Sequence, residues 1–406
     1  MEEWKEYKLG DISEIQTGPF GSQLHQSDYV EKGTPCIMPT NIGSQLDIKT
    51  NGIAHVKDED VARLHRHCVK VGDIIYSRRG DIEKCAYINQ HEEGWLCGTG
   101  CLRIRVNAEK ATPHFVAYQL ATKTCKRWVV NNAVGTTMPN LNTGILKELP
   151  LLLPPMDVQM QSVSVLSALD DKIAVNRRIC ENLEAQAQAL FKHWFIDFAP
   201  FKNGKFVESE LGMIPEGWRV GSFSEIFDLG PGGTPKTSEK AFWEDGTIPF
   251  FSPKDVNGVY CFETEKHITE KGLNSCSSRL YEKNTVFITC RGTVGKIAMA
   301  AIPMAMNQSN YAILSNKGYS QYFAYLMTTS IVKRLKFKAN GAVFDAITSK
   351  DFKEQIIIPQ LNIVNRFNPI IQSIFDSILN LGFENLRLST LRDALLPKLM
   401  SGQIKV

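Results

Sequence analysis

The chain has 406 residues, of which 43% are apolar and 22% charged, a composition typical of a folded protein with more than one domain. Its net charge of +3 at pH 7 is too small to indicate a nucleic-acid partner, which would have to be argued from local clusters of cations. No apolar run approaches the ~20 residues of a membrane span, and the chain opens on Glu2 and Glu3 rather than on a basic leader. The ten scattered cysteines are then expected to be reduced thiols of a cytoplasmic protein, without disulfides and without a membrane partner.

The first segment of the chain, WKEYKLGDISEIQTG from Trp4 to Gly18, returns as WRVGSFSEIFDLGPG from Trp218 to Gly232. Further pairs follow in the same order, at offsets that fall from 214 to 205 residues: GDIIYSRRGDIEKCAYI with NTVFITCRGTVGKIAMA, HFVAYQLATKTCKRW with YFAYLMTTSIVKRL, Gly135 with Gly341, and LLLPP with IIIPQ. This duplication indicates two copies of one domain, with small deletions in the loops of the second copy. Each Arg-Gly pair predicts a turn between two strands, and each matched basic segment predicts a short helix.

After each LLLPP-type run the apolar residues recur in steps of three and four, which predicts a long helix with a coiled-coil seam. The first seam comprises Leu166, Leu169, Ile173, Asn176, Cys180, Leu183, Ala187, Leu190 and Trp194. The second comprises Phe367, Ile371, Ile374, Ile378, Leu381, Asn385, Leu388 and Leu395, with Arg392 interrupting it. Because each seam carries one asparagine as a register residue, we expect the helices to pair; the alternative is that each packs only on its own domain. Pro369 predicts a start or a bend of the second helix.

The chain therefore divides into a globular domain at 1–153, a long helix at 154–200, a second globular domain at 201–357 and a second long helix at 358–406. Strands and short helices within each copy predict the α/β (α+β) class. The expected architecture is two similar globular domains that are separated and joined by two long antiparallel coiled-coil helices, with an internal pseudo-two-fold repeat.

This order of motifs resembles the DNA specificity subunit of type I restriction-modification enzymes. The resemblance rests on the Trp-to-Gly openings, the GGTPK turn at 232–236, the Arg-Gly turns, the LPP entry to each helix and the C-terminal LRDALLPKLMSGQIKV. It implies two target recognition domains that each read one half of a bipartite site on double-stranded DNA, spaced by the helices. It also implies two modification subunits with the adenine methyltransferase chemistry and a motor-nuclease subunit. This chain would then be non-catalytic and bind no cofactor; S-adenosylmethionine, Mg²⁺ and ATP would belong to its partners.

Cations at matched positions are the candidate DNA contacts, because Lys and Arg bind phosphates and Arg can also contact guanine through two hydrogen bonds. They are Arg78, Arg79, Lys84, Lys123, Lys126 and Arg127 in the first copy, and Arg291, Lys296, Lys333, Arg334, Lys336 and Lys338 in the second. Thr234 and Lys236 of the GGTPK turn complete the set. The first copy has TGPFGSQ at this turn, which fits two domains with different half-sites. Alternatively, the basic pairs are solvated helix faces and each Arg pairs with an internal carboxylate.

Catalytic and metal-binding interpretations fit the sequence less well. The segment DFAPF at 197–201 lacks the second proline of an adenine methyltransferase motif, and RGTVGKIA at 291–298 departs from a phosphate-binding loop at both ends. The spacing of His65, His67, Cys68, Cys97 and Cys101 does not supply a four-ligand zinc set. Two further alternatives are a protein-interaction scaffold with two binding domains on a helical spacer, and an enzyme fragment that has lost its catalytic domain.

Overall fold

The computed structural model describes residues 4–135, 139–315, 317–338 and 346–405. They form two compact units, Met1–Asp171 with Leu388–Val406 and Lys172–Arg387, so each copy of the repeat lies in its own unit and both long helices contribute to both. Two predicted features, Gly341 and the side chain of Lys338, lie outside the described part of the chain. Within that part, no helix combines the length and the apolar character that a membrane crossing requires.

The first unit contains two four-stranded sheets, with strand orders β2-β9-β6-β7 and β3-β5-β4-β8, and a two-stranded pair of β1 with β10. Its strands are β1 (Lys5–Lys8), β2 (Ser13–Thr17), β3 (Tyr29–Val30), β4 (Thr34–Ile37), β5 (Ala54–Val56), β6 (Ile74–Ser77), β7 (Cys85–Tyr87), β8 (Leu96–Cys97), β9 (Cys101–Val106) and β10 (Pro150–Leu153). Its α-helices are α1 (Leu9–Ile12), α2 (Asp58–Arg63), α3 (Pro113–Leu120), α4 (Lys123–Asn132), α5 (Thr143–Lys147), the first part of α6 (Met156–Phe195) and the last part of α9 (Leu361–Met400).

The core of the first unit is organised around β6 and β9. All four residues of β6 are buried, as expected for a β-branched and aromatic segment in the interior of a sheet. Helix α3 begins with Pro113, whose fixed φ suits a first helical turn, and buries Phe115 and Tyr118 in the same apolar cluster as β6. Two ends of the chain meet here as well, because Trp4 packs against Gly402 just after the second long helix.

The second unit contains a five-stranded sheet of order β14-β21-β18-β19-β16, a three-stranded sheet of order β17-β15-β20, and the pairs β13-β22 and β11-β12. Its strands are β11 (Phe206–Ser209), β12 (Gly212–Pro215), β13 (Arg219–Ser222), β14 (Asp228–Pro231), β15 (Ile248–Phe251), β16 (Tyr260–Cys261), β17 (His267–Ile268), β18 (Val286–Thr289), β19 (Ile297–Ala300), β20 (Ala305–Met306), β21 (Asn310–Leu314) and β22 (Gln355–Ile358). Its helices are α7 (Glu270–Asn274), α8 (Gln321–Lys338) and parts of α6 and α9 (Leu361–Met400).

The strand pairing of the two units confirms the internal repeat. Lys5 pairs with Leu153 in the first unit, and Arg219 pairs with Ile358 at the corresponding place in the second. The central order β2-β9-β6-β7 returns as β14-β21-β18-β19. The mixed α/β class and the two similar domains predicted from the duplicated motifs are therefore confirmed.

The long helices α6 and α9 each have 40 residues and run antiparallel where they pair within a unit. In the second unit the Asn176 Nδ2 atom donates to the Asn385 Oδ1 atom at 3.0 Å, so the two predicted register residues meet. In the first unit the buried Arg392 pairs with Asp170 of α6 at 2.8 Å. The coiled-coil prediction is thus confirmed, and the packing of each helix on its own domain alone is not what the structure has.

Every residue of the predicted seam is buried or half-buried. Its buried members are Leu166, Ile173, Asn176, Ala187, Phe367, Ile371 and Ile378, and its half-buried members are Leu169, Cys180, Leu183, Leu190, Trp194, Ile374, Leu381, Asn385, Leu388 and Leu395. Phe191, Phe195, Phe375 and Leu379 are also buried and widen the apolar stripe beyond a strict heptad. Helix α9 does not start at Pro369, because it begins at Leu361 and includes this exposed proline in its third turn.

Candidate nucleic-acid interface

Each unit brings three loops together, which we call the three-loop surface of that unit. In the first unit the loops are residues 18–20, 78–84 and 98–100, and in the second they are 232–234, 290–296 and 307–309. A Cβ atom on Gly18 would clash with the carbonyl oxygen of Gly98, and one on Gly232 would clash with the carbonyl oxygen of Asn307. The repeated opening of the two copies therefore ends on glycine because the backbones of two loops touch there.

The loops with the arginines are fixed to their neighbours by the same backbone hydrogen bonds in both units. The amide of Arg78 donates to Gly100 O at 2.8 Å, and that of Cys290 donates to Ser309 O at 2.8 Å. The next residue in each copy, Arg79 or Arg291, forms a β-bridge with a further segment, at Asn140 and at Ala346 respectively. The geometry of the three-loop surface was therefore duplicated together with the sequence.

A buried hydroxyl two residues before each exposed arginine organises the turn that follows. Ser77 Oγ donates to Arg79 O at 3.0 Å, and Thr289 Oγ1 donates to Thr293 O and accepts from the Lys296 amide at 3.0 Å. Both hydroxyl residues are fully buried. The predicted Arg-Gly turns are present, with Gly80 at φ 76° and Gly292 at φ 79°, in the left-handed region that glycine adopts readily.

The predicted DNA contacts of the first unit differ in exposure and in whether the cation is already paired. The Arg78 side chain is half-buried, and its Nε donates to Leu141 O at 3.2 Å, so this arginine supports the loop from inside. Lys84 pairs with Asp81 at 3.0 Å across a partly exposed contact. Arg79 is exposed and has no ion pair among the described residues. It is the cation of this surface that is most available to a ligand.

The second unit has a concave surface of about 800 Å³ at the same place. Among the residues that line it are Thr234, Lys254, Lys266, Arg291, Lys296, Asn307, Gln308 and Ser309. Arg291 and Lys296 are exposed and without an ion pair within the described ranges. Burial raises the pKa of the neighbouring Cys290 thiol to about 12, so it stays uncharged beside Arg291. Lys336, near the end of α8, lies against Gly295 of the same loop.

Both three-loop surfaces lie within the residues that match a known protein family. The family model of the type I restriction modification DNA specificity domain matches residues 1–185 and 215–389 of the chain. The chain belongs to this family. It is 27% identical to the type I restriction enzyme HindI specificity subunit of Haemophilus influenzae, over 100% of both chains. It is also 27% identical to the MjaIX specificity subunit of Methanocaldococcus jannaschii, over 100% of this chain and 94% of the relative.

A solved structure of a similar protein agrees on the fold. The S subunit of a type I restriction-modification system from M. genitalium has a TM-score of 0.54 and 16% sequence identity, and the match covers 98% of this chain and 96% of that chain. The chain is thus a DNA-binding specificity subunit, the non-catalytic component of a type I restriction-modification complex, and it acts on DNA together with partner subunits. The scaffold alternative is not favoured.

Three of the cations predicted on helices lie beside the long helices of this specificity subunit. Lys123 and Lys126 line a groove of about 650 Å³ in the first unit, together with Asp170 and Arg392 of the long helices. In the same groove the Tyr118 hydroxyl donates to Asp170 Oδ2 at 2.6 Å, and burial together with that carboxylate raises the pKa of Tyr118. Arg127, on the same short helix, is exposed.

On the matching helix of the second unit, α8, one lysine of the basic pair contacts a long helix. Lys333 Nζ donates to Gln188 Oε1 of α6 at 2.7 Å, and Arg334 is half-buried with its Nε unpaired among the described atoms. Lys236 is exposed, and its carbonyl oxygen accepts from Trp243 Nε1 at 3.2 Å. No group of three or more His, Cys, Asp or Glu residues that could hold a metal occurs in the part of the chain that the structure describes.

Sequence reasoning missed the residues that shape the surfaces. Ser77 and Thr289 carry a signal that was available, since a hydroxyl residue stands two places before Arg79 and Arg291 in both copies. The loop at 307–309 carries no such signal, because the corresponding GTG of the first copy shares no residue with NQS of the second. Only the hydrogen bonds of these loops make the two segments equivalent.

Proposed function

We propose that the two three-loop surfaces each read one half of a bipartite DNA target, and that the paired long helices set the distance between the two readings. The observation that carries this proposal is the pair Arg79 and Arg291. Each is exposed, follows the same backbone hydrogen bond, and has no carboxylate partner among the described residues. Two equivalent readers on one chain suit a target made of two separate half-sites.

The chemistry of these arginines fits base recognition. A guanidinium can donate two parallel hydrogen bonds to O6 and N7 of guanine in the major groove, worth about 1–3 kcal/mol of discrimination. Its loop is held by a buried hydroxyl and by backbone hydrogen bonds, so little side-chain freedom beyond the arginine itself is lost on binding. Lys296 lines the same surface as Arg291 and is expected to neutralise a phosphate, whereas Lys254 lies 3.8 Å from the carboxylate of Glu265.

We also propose that the catalytic chemistry belongs to the partner subunits. We expect two modification subunits, because the repeated units and the antiparallel helices offer two similar docking surfaces, and one motor-nuclease subunit. S-adenosylmethionine, Mg²⁺ and ATP are expected in those partners and no cofactor in this chain. The complex is expected to work in the cytoplasm, where its DNA substrate lies.

DNA binding by the complex with its modification subunits should weaken steeply as salt rises, since each neutralised phosphate adds about 0.9 to the slope of log affinity against log salt. Lys296→Ala should reduce that slope by about one unit, because this exposed lysine lies on the three-loop surface. Lys333→Ala is the matched control. The sequence alone predicts the same loss there, but Lys333 donates to Gln188 of the long helix, so we expect it to make no phosphate contact and the slope to stay unchanged. Binding that does not respond to salt would refute the proposal and favour a protein-interaction scaffold.

A further inference from the structure

We propose that Gln308 reads an adenine in the half-site of the second unit, with Thr234 holding its carboxamide in place. This inference rests on the proposed function. Gln308 was not among the residues predicted from the sequence, and it stands out only when the two units are compared loop by loop.

Gln308 occupies the same position in the second unit as Thr99 in the first. The amide of Gly98 donates to Ile37 O at 2.9 Å, and the amide of Asn307 donates to Phe251 O at 3.0 Å. In both units this bond extends the parallel pairing of two short strands, β4 with β8 and β15 with β20. The residue after each of these amides is therefore the same structural position.

The two copies use that position differently. Thr99 donates from its hydroxyl to Pro19 O at 2.8 Å, which closes the contact between its loop and the loop at 18–20 without leaving a polar group outside. Gln308 is exposed, and its carboxamide oxygen accepts from the Thr234 hydroxyl. A short hydroxyl is enough to join these loops, so the longer side chain with an exposed amide needs another explanation.

Gln308 lies on the concave surface of the second unit. It lines the concave surface with Arg291 and Lys296, and the carbonyl of the next residue, Ser309, accepts from the backbone amide just before Arg291. A side chain that contacts a base edge lies close to cations that bind the flanking phosphates, and Gln308 has such cations beside it. In the first unit the loop at 18–20, which corresponds to 232–234, exposes Phe20, an apolar ring 56% exposed, so the two surfaces present different chemistry to their half-sites.

The bond from Thr234 determines what the carboxamide can read. With Thr234 donating to Oε1, the two N–H groups of Nε2 have no partner among the described residues, and Oε1 keeps a second lone pair. One of these N–H groups and the free lone pair of Oε1 match N7 and the N6 amino group of adenine, the base that glutamine contacts through two hydrogen bonds. Guanine and the pyrimidines do not offer both partners to one carboxamide in the major groove.

The test is to map the methylated sequences in cells that express the modification subunit with each version of this chain. Gln308→Ala should leave the first half-site unchanged and relax one adenine position of the second, with discrimination there reduced by about 5- to 150-fold. Thr234→Val should relax the same position to a smaller degree. Gln360→Ala, an exposed glutamine of the same unit outside the three-loop surface, is the matched control and should leave the motif unchanged.

Gln308→Glu distinguishes a change in base preference from a loss of folding. Its carboxylate accepts from the amino group of cytosine, so the preference at that position should move from adenine to cytosine. A wild-type motif that persists in all Gln308 variants, or a relaxed position that is not an adenine, would overturn the inference while leaving the proposed function intact. Absence of any bipartite methylated motif with the wild-type chain would instead refute the proposed function itself.

Discussion

Inserting seven residues after Asp171 in α6 and seven after Arg387 in α9 should lengthen the preferred spacer between the half-sites by about three base pairs. A heptad keeps the apolar seam facing its partner and adds ~10 Å at ~1.5 Å per residue, and DNA rises 3.4 Å per base pair. These two insertion points lie where the chain divides into its two units, so the Asp170–Arg392 and Asn176–Asn385 contacts within each unit are kept. Three base pairs also turn the groove by about a quarter of a revolution, so the lengthened protein should bind more weakly.

Methylation of a series of sites that differ only in spacer length measures this effect. The control is a heptad inserted into α6 alone, which puts the two seams out of register and should destabilise the pair rather than shift the optimum. If the doubly lengthened protein is folded and still prefers the original spacer, the helices do not set the distance.

Replacing Phe367 by Ala should lower the free energy of unfolding of the second unit by about 3–5 kcal/mol, the cost of a fully buried aromatic side chain. Phe367 of α9 is completely buried and packs on Trp194 and Phe195 of α6, with ring centroids 5.4 and 4.8 Å apart. Its removal leaves a cavity between the paired helices. Urea denaturation followed by tryptophan fluorescence reports this loss, because Trp194 is in direct contact.

The matched control is Ile370→Ala, three residues further along the same helix, where the side chain is 43% exposed. Its effect should stay within about 0.5 kcal/mol, as is usual for surface substitutions. Equal losses in the two variants would mean that the helix pair is not held by the aromatic cluster around Phe367.

The pairing of the long helices could be predicted because a heptad repeat of apolar residues indicates, within one segment of sequence, that the helix packs against another helix. Asn176 and Asn385 could be recognised as register residues before their hydrogen bond was known. Arg392 could not, because its partner Asp170 lies 222 positions away and belongs to no repeated motif. A charged residue on a seam is read from sequence as an interruption, whereas in the fold it is a buried ion pair at 2.8 Å.

The surfaces were predicted less completely, for a related reason. Duplication assigned Arg79 and Arg291 to equivalent turns, since identical residues stand at matched positions, and the structure has both side chains exposed. The same reasoning treated Lys126 and Lys333 as equally strong candidates, although one lines a groove beside the long helices and the other binds Gln188. Matching positions reveal that a residue is retained in the copy but not which neighbour it faces. Gln308 was missed for the opposite reason. A residue that gives the two units different base preferences differs between the two copies, so a search for matched residues does not find it.

The central claim is that each unit reads its own half of the target, and separate changes at the matched arginines test it most directly. The methylated sites should be mapped in cells that carry Arg79→Ala or Arg291→Ala together with the modification subunit. The account predicts that each variant relaxes one half-site, by about 1–3 kcal/mol at the contacted base, and leaves the other half-site and the spacer unchanged. Loss of discrimination in both half-sites from either single change, or in neither, would contradict it.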